Sequence, residues 1–371
     1  MEGHGKHAKI GREFNIGIIG LGEGKGLLKG LDGHPELHVV AICDTNPALL
    51  AEMAGRFNVA HSYTDDAAFM AHAGLDIVVI YTPDQLHFRH IRLAFEAGRH
   101  AICTKPLVNR LSEALEVMAL QRAHPALRLM VGQSSRFFGP MLKQKEAIDA
   151  GKLGELQFVD TRYVHDMRWF YDNRPWARKA DFDLIMACCS HPVDLARRIM
   201  GDVEEVHAYG NRSKTGEEAG FHGNDSFVIS YKFTNGRIGR SLGLYGLEHI
   251  HQFQPWIEVA AYGSRGTYIA SYPQLEAIVK YQGEDEQRLA WFEDTYHYFQ
   301  FEGVNHHAGE FSNYTEAFAR GLVTGEPVMP DAEDGLKTLA TLEAIRTSIR
   351  TGQPEKVPSL ATLSAGPHEP R

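Results

Sequence analysis

The chain has 371 residues, of which 43% are hydrophobic and 23% charged, ordinary values for a globular protein of about two domains. Its 38 lysines and arginines face 47 aspartates and glutamates, giving a net charge of −9 with no basic block. This balance argues against nucleic acid or anionic membranes as partners. Apolar runs such as 75–81 are also far shorter than the roughly 20 residues of a membrane-spanning helix.

The N-terminal residues 1–13 are polar and rich in glycine and histidine, so we expect a disordered tail without the apolar stretch of a signal peptide. The four cysteines, Cys43, Cys103, Cys188 and Cys189, have neither zinc-ligand spacing nor the density of a disulfide framework. These features predict a cytoplasmic protein with no metal site.

Short apolar runs alternate with amphipathic helical patterns over the first third of the chain. Runs that are buried on both faces and separated by helices are typical of parallel βαβ units. The pattern therefore predicts an α/β Rossmann domain over 14–134. The predicted strands lie at 16–19, 38–43, 75–82, 100–103 and 127–131, and the helices at 47–57, 87–97 and 112–122.

After residue 135 the pattern changes to successive strands punctuated by glycine and asparagine. This pattern predicts an α+β domain over 135–358 with a large, mostly antiparallel open sheet, followed by a loose tail at 359–371. The predicted strands lie at 156–164, 203–209, 226–233, 237–244, 256–262 and 277–281, and two helices follow at 310–324 and 332–350.

Gly20-Leu21-Gly22 follows the first strand and opens a helix, which is the setting of a dinucleotide-binding turn. The first glycine permits the tight turn, and the second lets the backbone approach a pyrophosphate at the helix N-terminus. Asp44 ends the second strand, close to the offset of about 20 residues expected for the acid that binds an adenosine ribose. Because a carboxylate repels a 2′-phosphate, NAD is favoured over NADP.

One position departs from the usual GxGxxG fingerprint. The third small residue falls at Lys25, between Gly24 and Gly26. Two explanations are open: a neighbouring glycine permits the close helix packing, or Lys25 points outward or toward phosphate. A glycine-rich turn that binds no nucleotide is the alternative reading.

Several further motifs resemble one oxidoreductase family. The chain is similar to the glucose-fructose oxidoreductase, inositol dehydrogenase and rhizopine catabolism (Gfo/Idh/MocA) family over about 14–355. The resemblance is carried by Thr82-Pro83-Asp84-Gln85-Leu86-His87, Ala97-Gly98-Arg99-His100, Cys103-Thr104-Lys105-Pro106, Gly132-Gln133, Gly151-Lys152-Leu153-Gly154-Glu155, and His191-Pro192-Val193-Asp194-Leu195.

The resemblance implies a nicotinamide-dependent oxidation of a sugar or cyclitol hydroxyl, or reduction of the corresponding ketone. It also implies that the open sheet forms the interface of a homodimer or homotetramer. The Trp-Arg pair of the family is matched loosely, because Ala177 is inserted between its members. The implied cofactor contacts are Gly20, Leu21, Gly22, Glu23, Gly24, Lys25, Asp44, Thr82, Pro83, His87, Thr104, Lys105, Gln133, Trp176 and Arg178.

Lys105 and His191 are the expected catalytic residues. Lys105 follows a buried strand at the carboxyl edge of the sheet, where open α/β sheets place ligands. A partly desolvated lysine beside a cationic nicotinamide is expected to have a lowered pKa and to exchange a proton with a hydroxyl. The resemblance to the family also implies a cis bond before Pro106. His191 matches the catalytic histidine of the family, and Asp194 either orients it or is structural.

Many family members carry an aspartate where this chain has Ala187. Candidates for a replacement are Tyr163, His165, Asp166 and Asp183, and the sequence does not choose among them. The neighbouring Cys188 and Cys189 are interpreted as packing residues.

The segment 163–176 combines aromatic rings with histidine and arginine, which suits either sugar recognition or the anchoring of a long loop. The expected ligand is a small carbohydrate or polyol. The predicted substrate contacts are Lys105, Arg136, Tyr163, His165 and His191, with His249, His251, His306 and His307 as weaker candidates. Two alternative functions stay open, a redox-neutral glycoside-cleaving enzyme that uses NAD and a non-catalytic dinucleotide sensor.

Overall fold

The computed structural model describes residues 10–178, 182–250, 254–290 and 309–364. They divide into two compact units. The first unit contains 10–137 and 309–336, and the second contains 138–290 and 337–364 within the described ranges.

A six-stranded parallel sheet forms the centre of the first unit. Its strand order, 3-2-1-4-5-6, is that of a Rossmann fold, which confirms the predicted class. The edge strand His61–Tyr63 is the only strand of this sheet that the sequence pattern did not predict, because its three residues are polar and largely exposed. The strands are β1 (Phe14–Ile19), β2 (Leu37–Cys43), β3 (His61–Tyr63), β4 (Ile77–Ile80), β5 (His100–Thr104) and β6 (Leu129–Gly132).

The helices of this sheet begin where the sequence supplies capping groups. Asn46 illustrates this, because its side chain accepts hydrogen bonds from Ala48 N and Leu49 N, and Pro47 occupies the first helical position. The first five helices are α1 (Leu21–Leu31), α2 (Pro47–Phe57), α3 (Asp66–Met70), α4 (His87–Glu96) and α5 (Leu111–Ala123).

The second unit is built on a nine-stranded sheet of order 14-13-12-11-7-10-9-8-15. Only the pair formed by the seventh and tenth strands is parallel, so the predicted, mostly antiparallel sheet is confirmed. The strands are β7 (Leu156–Val164), β8 (Val203–Asn211), β9 (Ser226–Phe233), β10 (Ile238–Leu244), β11 (Ile257–Gly263), β12 (Gly266–Tyr272), β13 (Glu276–Tyr281), β14 (Gln287–Ala290) and β15 (Glu355–Lys356).

Helices cover one face of this sheet. The helices of this part of the chain are α6 (Gly139–Asp149), α7 (Arg168–Asn173), α8 (Ser190–Met200) and α9 (Lys214–Glu218). Helix α8 packs on β7, β10 and β11, and α6 packs on β12. The other face carries exposed apolar side chains from five strands, namely Tyr209, Val228, Ile238, Tyr262 and Ile278. The sheet of the second unit is therefore open on this side.

Three helices follow: α10 (Glu310–Thr324), α11 (Ala332–Thr351) and α12 (Leu360–Ser364). We predicted a second domain over 135–358, and its bounds remain a prediction; in the structure, residues 309–336 belong to the first compact unit. Helix α10 packs on α1 where Gly26 faces Phe311 and Gly30 faces Ser312. A Cβ on Gly26 would lie 3.2 Å from the Phe311 ring, and one on Gly30 would overlap Ser312 Oγ. These glycines are therefore needed for helix packing.

Within the described ranges, no helix combines the length and apolar character that crossing a bilayer requires.

Candidate functional site

The turn between β1 and α1 has the backbone geometry of a phosphate-binding loop. Gly20 has φ 88°, and a Cβ there would lie 2.7 Å from the backbone nitrogen of Thr82, so only glycine fits. At Gly22, by contrast, a Cβ would have no protein atom within 4 Å. The backbone at Gly22 is thus open to a bound group at the N-terminus of α1.

Gly24 takes the place of the third small residue of the fingerprint. A Cβ on Gly24 would lie 2.8 Å from Ile18 Cγ2 and 3.1 Å from Tyr81 Cδ2, so the close approach of α1 to the sheet depends on it. Lys25 is exposed. Of the two explanations for the altered spacing, the structure supports a neighbouring glycine, and a contact of Lys25 with phosphate remains a prediction.

Asp44 directly follows β2 and faces the same turn. Its Oδ2 accepts a hydrogen bond from Leu21 N at 2.7 Å, and its Oδ1 accepts one from Asn46 N at 2.9 Å. Glu23 lies half-buried in the first turn of α1. The tight turn at Gly20, the open backbone at Gly22 and the carboxylate at the end of β2 together fit a nicotinamide adenine dinucleotide.

The loop between β4 and α4 is held by two histidines. His87 Nε2 lies 2.9 Å from Thr82 O, and its Nδ1 lies 2.8 Å from Pro106 O. The ring is 1% exposed, and burial lowers its pKa. We predicted His87 as a cofactor contact. Both ring nitrogens face backbone carbonyls, so the ring links two loops, and a contact of His87 with the cofactor remains a prediction.

The second histidine, His90, was missed by the sequence analysis. Its Nδ1 lies 2.9 Å from Thr82 Oγ1, and its Nε2 lies 3.3 Å from Asp66 Oδ2. The signal that could have found it is the i, i+3 spacing from His87, which puts both rings on one face of α4.

Lys105 follows Thr104, the last residue of β5, and both are half-buried. The bond between Lys105 and Pro106 is cis, as expected. Gln133 follows β6 and is buried. Because β4, β5 and β6 are parallel neighbours, Thr82, Lys105 and Gln133 all lie at the carboxyl edge of the sheet, where this fold binds ligands. Pro83 lies half-buried next to Thr82.

Arg136 has a partner within the first unit. Its NH1 lies 2.7 Å from Asp334 Oδ2, and the residue is 7% exposed. Asp334 lies in the first turn of α11, so the ion pair fixes the returning segment to the end of β6. The predicted substrate contact of Arg136 has no support from this geometry.

His191 is the second residue of α8, directly after a π-helical turn at Ile185–Cys189. Such turns occur often at functional sites. The side chain is 8% exposed, and the Tyr163 ring meets it edge-on, with centroids 5.7 Å apart. Asp194 Oδ1 accepts a hydrogen bond from Thr338 Oγ1 at 3.1 Å, which favours the structural reading of Asp194.

The aromatic segment that begins at Tyr163 forms a cluster in the second unit. His165 stacks on Trp256 with centroids 4.2 Å apart, and His249 meets it edge-on at 5.9 Å. Trp169 Nε1 donates to His165 Nε2 at 3.2 Å, so the neutral His165 ring carries its proton on Nδ1. Flat rings and polar ring nitrogens gathered in this way suit a polyhydroxylated ligand.

Two of the four candidates for the missing aspartate are engaged elsewhere. Asp166 accepts from Arg168 Nε at 2.9 Å and from Arg168 NH2 at 2.7 Å. Asp183 accepts from Ile185 N and from Arg346 Nε, both at 2.6 Å. Tyr163 and His165 therefore remain as the candidates next to His191.

Arg178 contacts its own loop. Its Nε donates to Tyr171 O at 3.1 Å, and its NH2 donates to Asp172 Oδ1 at 2.8 Å. Trp176 lies in the same short 3₁₀ turn, Pro175–Arg178. Contacts of Trp176 and Arg178 with the cofactor remain predictions. His251, His306 and His307 lie outside the described residues.

All four cysteines are buried in the described part of the chain, and none forms a disulfide. Burial raises the pKa of Cys43 to about 12 and also raises the pKa values of Cys103 and Cys189. Thiols with such pKa values are inert, which agrees with a packing role. Among the described residues, no three His, Cys, Asp or Glu side chains are grouped to hold a metal ion.

Two family profiles match the chain. The profile described as "Oxidoreductase family, NAD-binding Rossmann fold" matches residues 14–133, and the one described as "Oxidoreductase family, C-terminal alpha/beta domain" matches 145–358. Inositol 2-dehydrogenase of Rhizobium meliloti is 25% identical over 90% of this chain and 96% of its own. Levoglucosan dehydrogenase of Pseudarthrobacter phenanthrenivorans is 24% identical over 84% of this chain and 83% of its own.

Solved structures with the same fold carry nicotinamide cofactors. An oxidoreductase from Agrobacterium radiobacter in complex with NAD⁺, L-tartaric acid and magnesium has a TM-score of 0.81 at 22% identity, covering 93% of this chain and 98% of its own. A levoglucosan dehydrogenase in complex with NADH has a TM-score of 0.80 at 21% identity, covering 94% of this chain and 100% of its own. With both of its domains matched by the family profiles, the chain belongs to the Gfo/Idh/MocA oxidoreductase family.

Proposed function

We propose that the protein is an NAD-dependent dehydrogenase or reductase that acts on a hydroxyl or ketone of a sugar, sugar acid or cyclitol. The observation that carries the proposal is the first unit's ligand edge, where Gly20, Gly22 and Asp44 form a dinucleotide cradle and Lys105 follows β5. The inositol and levoglucosan dehydrogenases similar to this chain support the substrate class.

Three residues of the chain have separate roles in this reaction. Asp44 binds the adenosine ribose and disfavours a 2′-phosphate, which selects NAD over NADP. Lys105 and His191 exchange the proton of the reacting hydroxyl, an assignment that rests on the family motifs in which they stand. NAD, when bound, supplies the hydride chemistry at the reacting carbon.

The aromatic and histidine cluster of the second unit supports a polyhydroxylated substrate. Tyr163 and Trp256 both stack on His165, so the cluster brings aromatic rings together with ring N–H and hydroxyl groups. A ring face packs against sugar C–H groups, while the polar atoms bind hydroxyls. We therefore assign substrate recognition to this cluster.

The test is a fluorescence titration of the purified protein with NAD and NADP, followed by absorbance assays with hexoses, hexuronates and inositols. The proposal expects NAD to bind more tightly than NADP, and one substrate class to generate reduced nicotinamide in proportion to product. Glycoside cleavage without net NADH would instead establish the redox-neutral enzyme. Binding of NAD without turnover of any substrate would favour the sensor.

We also propose that the open face of the nine-stranded sheet is covered by a second copy of the chain, in a homodimer or homotetramer. Exposed apolar side chains from five strands lie on this one face, and contiguous exposed apolar surface marks interaction sites. Charges on this face pair with one another, as Arg162 does with Glu258 and Arg240 with Asp160. Light scattering is expected to show an oligomer that Ile238→Asp dissociates; a monomeric parent protein would contradict this.

A further inference from the structure

We propose that His90 is a positioning residue for the cofactor site. Together with Asp66, it fixes the Thr82 hydroxyl so that Thr82 Oγ1 faces a bound dinucleotide only as a hydrogen-bond acceptor. The inference rests on the proposed function, since it assumes that Thr82 touches the cofactor. It adds two residues, His90 and Asp66, to the parts of the chain that shape that contact.

Four side chains form a continuous chain of polar contacts in the first unit. Thr82 Oγ1 lies 2.9 Å from His90 Nδ1, and His90 Nε2 lies 3.3 Å from Asp66 Oδ2. Arg89 closes the chain with two contacts to Asp66, at 2.6 Å from its Nε and 2.9 Å from its NH2. The His90 ring, 3% exposed, is shielded from water, whereas Arg89 at the end of the chain is exposed.

The protons in this chain can be placed by elimination. The hydrogen bond from Arg89 lowers the pKa of Asp66, which is therefore ionised and can only accept. With this carboxylate oxygen 3.3 Å from Nε2, the tautomer of His90 that carries its proton on Nε2 is favoured. Burial lowers the pKa of His90 to about 4, so near neutral pH the ring has only this one proton. Its Nδ1 is consequently an acceptor.

The orientation of the Thr82 hydroxyl follows. Its single proton is donated to His90 Nδ1, which leaves only lone pairs on Oγ1 for any other partner. Such an oxygen binds a group that donates, and a ribose hydroxyl of the dinucleotide is a donor. A group that can only accept, such as a phosphate oxygen, cannot form a hydrogen bond with Thr82 Oγ1.

The backbone of Thr82 is fixed from the same helix. His87 Nε2 lies 2.9 Å from Thr82 O, so the two histidines of α4 hold the residue by its carbonyl and by its hydroxyl. The first contact sets where Thr82 lies, and the second sets which way its hydroxyl points. Only the second is expected to act through the Thr82 side chain.

A double-mutant cycle on NAD affinity tests this division. The variants are Thr82→Val, which removes the hydroxyl at nearly constant shape, His90→Phe, which keeps a ring without nitrogens, and the double variant. Each single change is expected to weaken NAD binding about five- to tenfold, the effect of one hydrogen bond. The double variant is expected to bind no more weakly than Thr82→Val alone.

A rescue variant separates positioning from folding. His90→Asn places an amide oxygen close to the position of Nδ1, where it accepts the Thr82 hydroxyl, so its NAD affinity is expected to return toward that of the parent. Thermal melts establish that each variant is folded. If His90→Phe does not fold, His90→Leu takes its place in the same cycle.

Two results would overturn the inference while leaving the proposed function intact. One is parent-like NAD affinity in Thr82→Val. The other is an equal loss of affinity from His90→Phe with and without the Thr82 hydroxyl, which would show that His90 acts only through the fold. A parent protein that binds no NAD would instead remove the proposed function, and this inference with it.

Discussion

His34 Nε2 lies 3.1 Å from Glu316 Oε1, although the two residues are 282 positions apart in the chain. His34 Nδ1 is within 3.1 Å of Glu36 N and 3.0 Å of Leu37 N, so it accepts, and Nε2 carries the proton that is donated to Glu316. Both side chains are buried. The contact fastens α10 to the turn that leads from α1 into β2.

Glu316→Ala is expected to destabilise the protein by about 1.5–3 kcal/mol, because it leaves the buried donor on His34 without its acceptor. Glu316→Gln keeps an acceptor oxygen and is expected to cost less. Urea denaturation measures both. The control is Glu326→Ala at an exposed position just beyond α10. Equal losses from Glu316→Ala and Glu326→Ala would show that the contact contributes nothing to stability.

Gly22→Ala is expected to abolish or strongly weaken NAD binding without loss of stability. A Cβ on Gly22 meets no protein atom within 4 Å, so it occupies only the space where a pyrophosphate approaches. Gly55→Ala is the matched control, since Gly55 is also helical, open around a Cβ and remote from the turn. Both variants are expected to melt at or slightly above the parent temperature, and unchanged NAD affinity in Gly22→Ala would contradict the assigned cradle.

The elements that the sequence predicted best are those in which a long apolar pattern coincides with clear punctuation. The strands Leu156–Val164 and Ser226–Phe233 and the helix Glu310–Thr324 have the predicted bounds. Strands β12, β14 and β15 were missed, the last two because they are short and mostly polar. The packing of α10 on α1 was also missed, since an amphipathic pattern shows that a helix has a partner but not which one.

In the candidate site, too, some features follow from the sequence pattern and others do not. Asp44 and Lys105 were predictable because strand ends in a parallel sheet share one edge. The function of Gly24 was left open, since spacing alone does not show which glycine meets Ile18. The contacts of His87 and His90 with Thr82 were missed, because such hydrogen bonds depend on rotamers that the sequence pattern does not contain.

Lys105→Met is expected to lower turnover by roughly 10²–10⁴ while NAD affinity stays close to that of the parent. The reason is that the methionine keeps much of the side-chain volume but cannot exchange a proton with the substrate. Steady-state kinetics and NAD titration together measure the two effects. Lys214→Met, at a highly exposed position, is the control for loss of a positive charge. Unchanged turnover in Lys105→Met would remove the catalytic assignment.

Tyr163→Phe is expected to lower turnover by about 10²-fold, the size typical of a lost proton-transfer group, with NAD affinity unchanged. Tyr163 meets the His191 ring edge-on, while the carboxylates of Asp166 and Asp183 are bound by arginines. The control is Tyr209→Phe on the open sheet face. Full activity in Tyr163→Phe would leave His165 as the candidate that replaces the family's aspartate at the position of Ala187.

The pH dependence of stability is expected to carry a contribution from His90. Burial lowers its pKa from 6.5 to about 4 in the folded chain. Below pH 6.5 the unfolded chain therefore binds a proton that the folded chain does not, so stability is lost as the pH falls from 6.5 to 4. Through His90 alone, the free energy of unfolding is about 3 kcal/mol larger above pH 6.5 than below pH 4.

His90→Phe removes this titration, so the variant is expected to lose less stability than the parent between pH 6.5 and 4. Urea denaturation at half-unit pH steps measures the two slopes. The range from pH 7 to 8 is the internal control, because His90 is neutral there in both states and contributes no slope. Parallel curves for parent and variant down to pH 4 would show that His90 takes up its proton at the same pH in the folded as in the unfolded chain. The neutral ring that orients the Thr82 hydroxyl would then be excluded below pH 6.5.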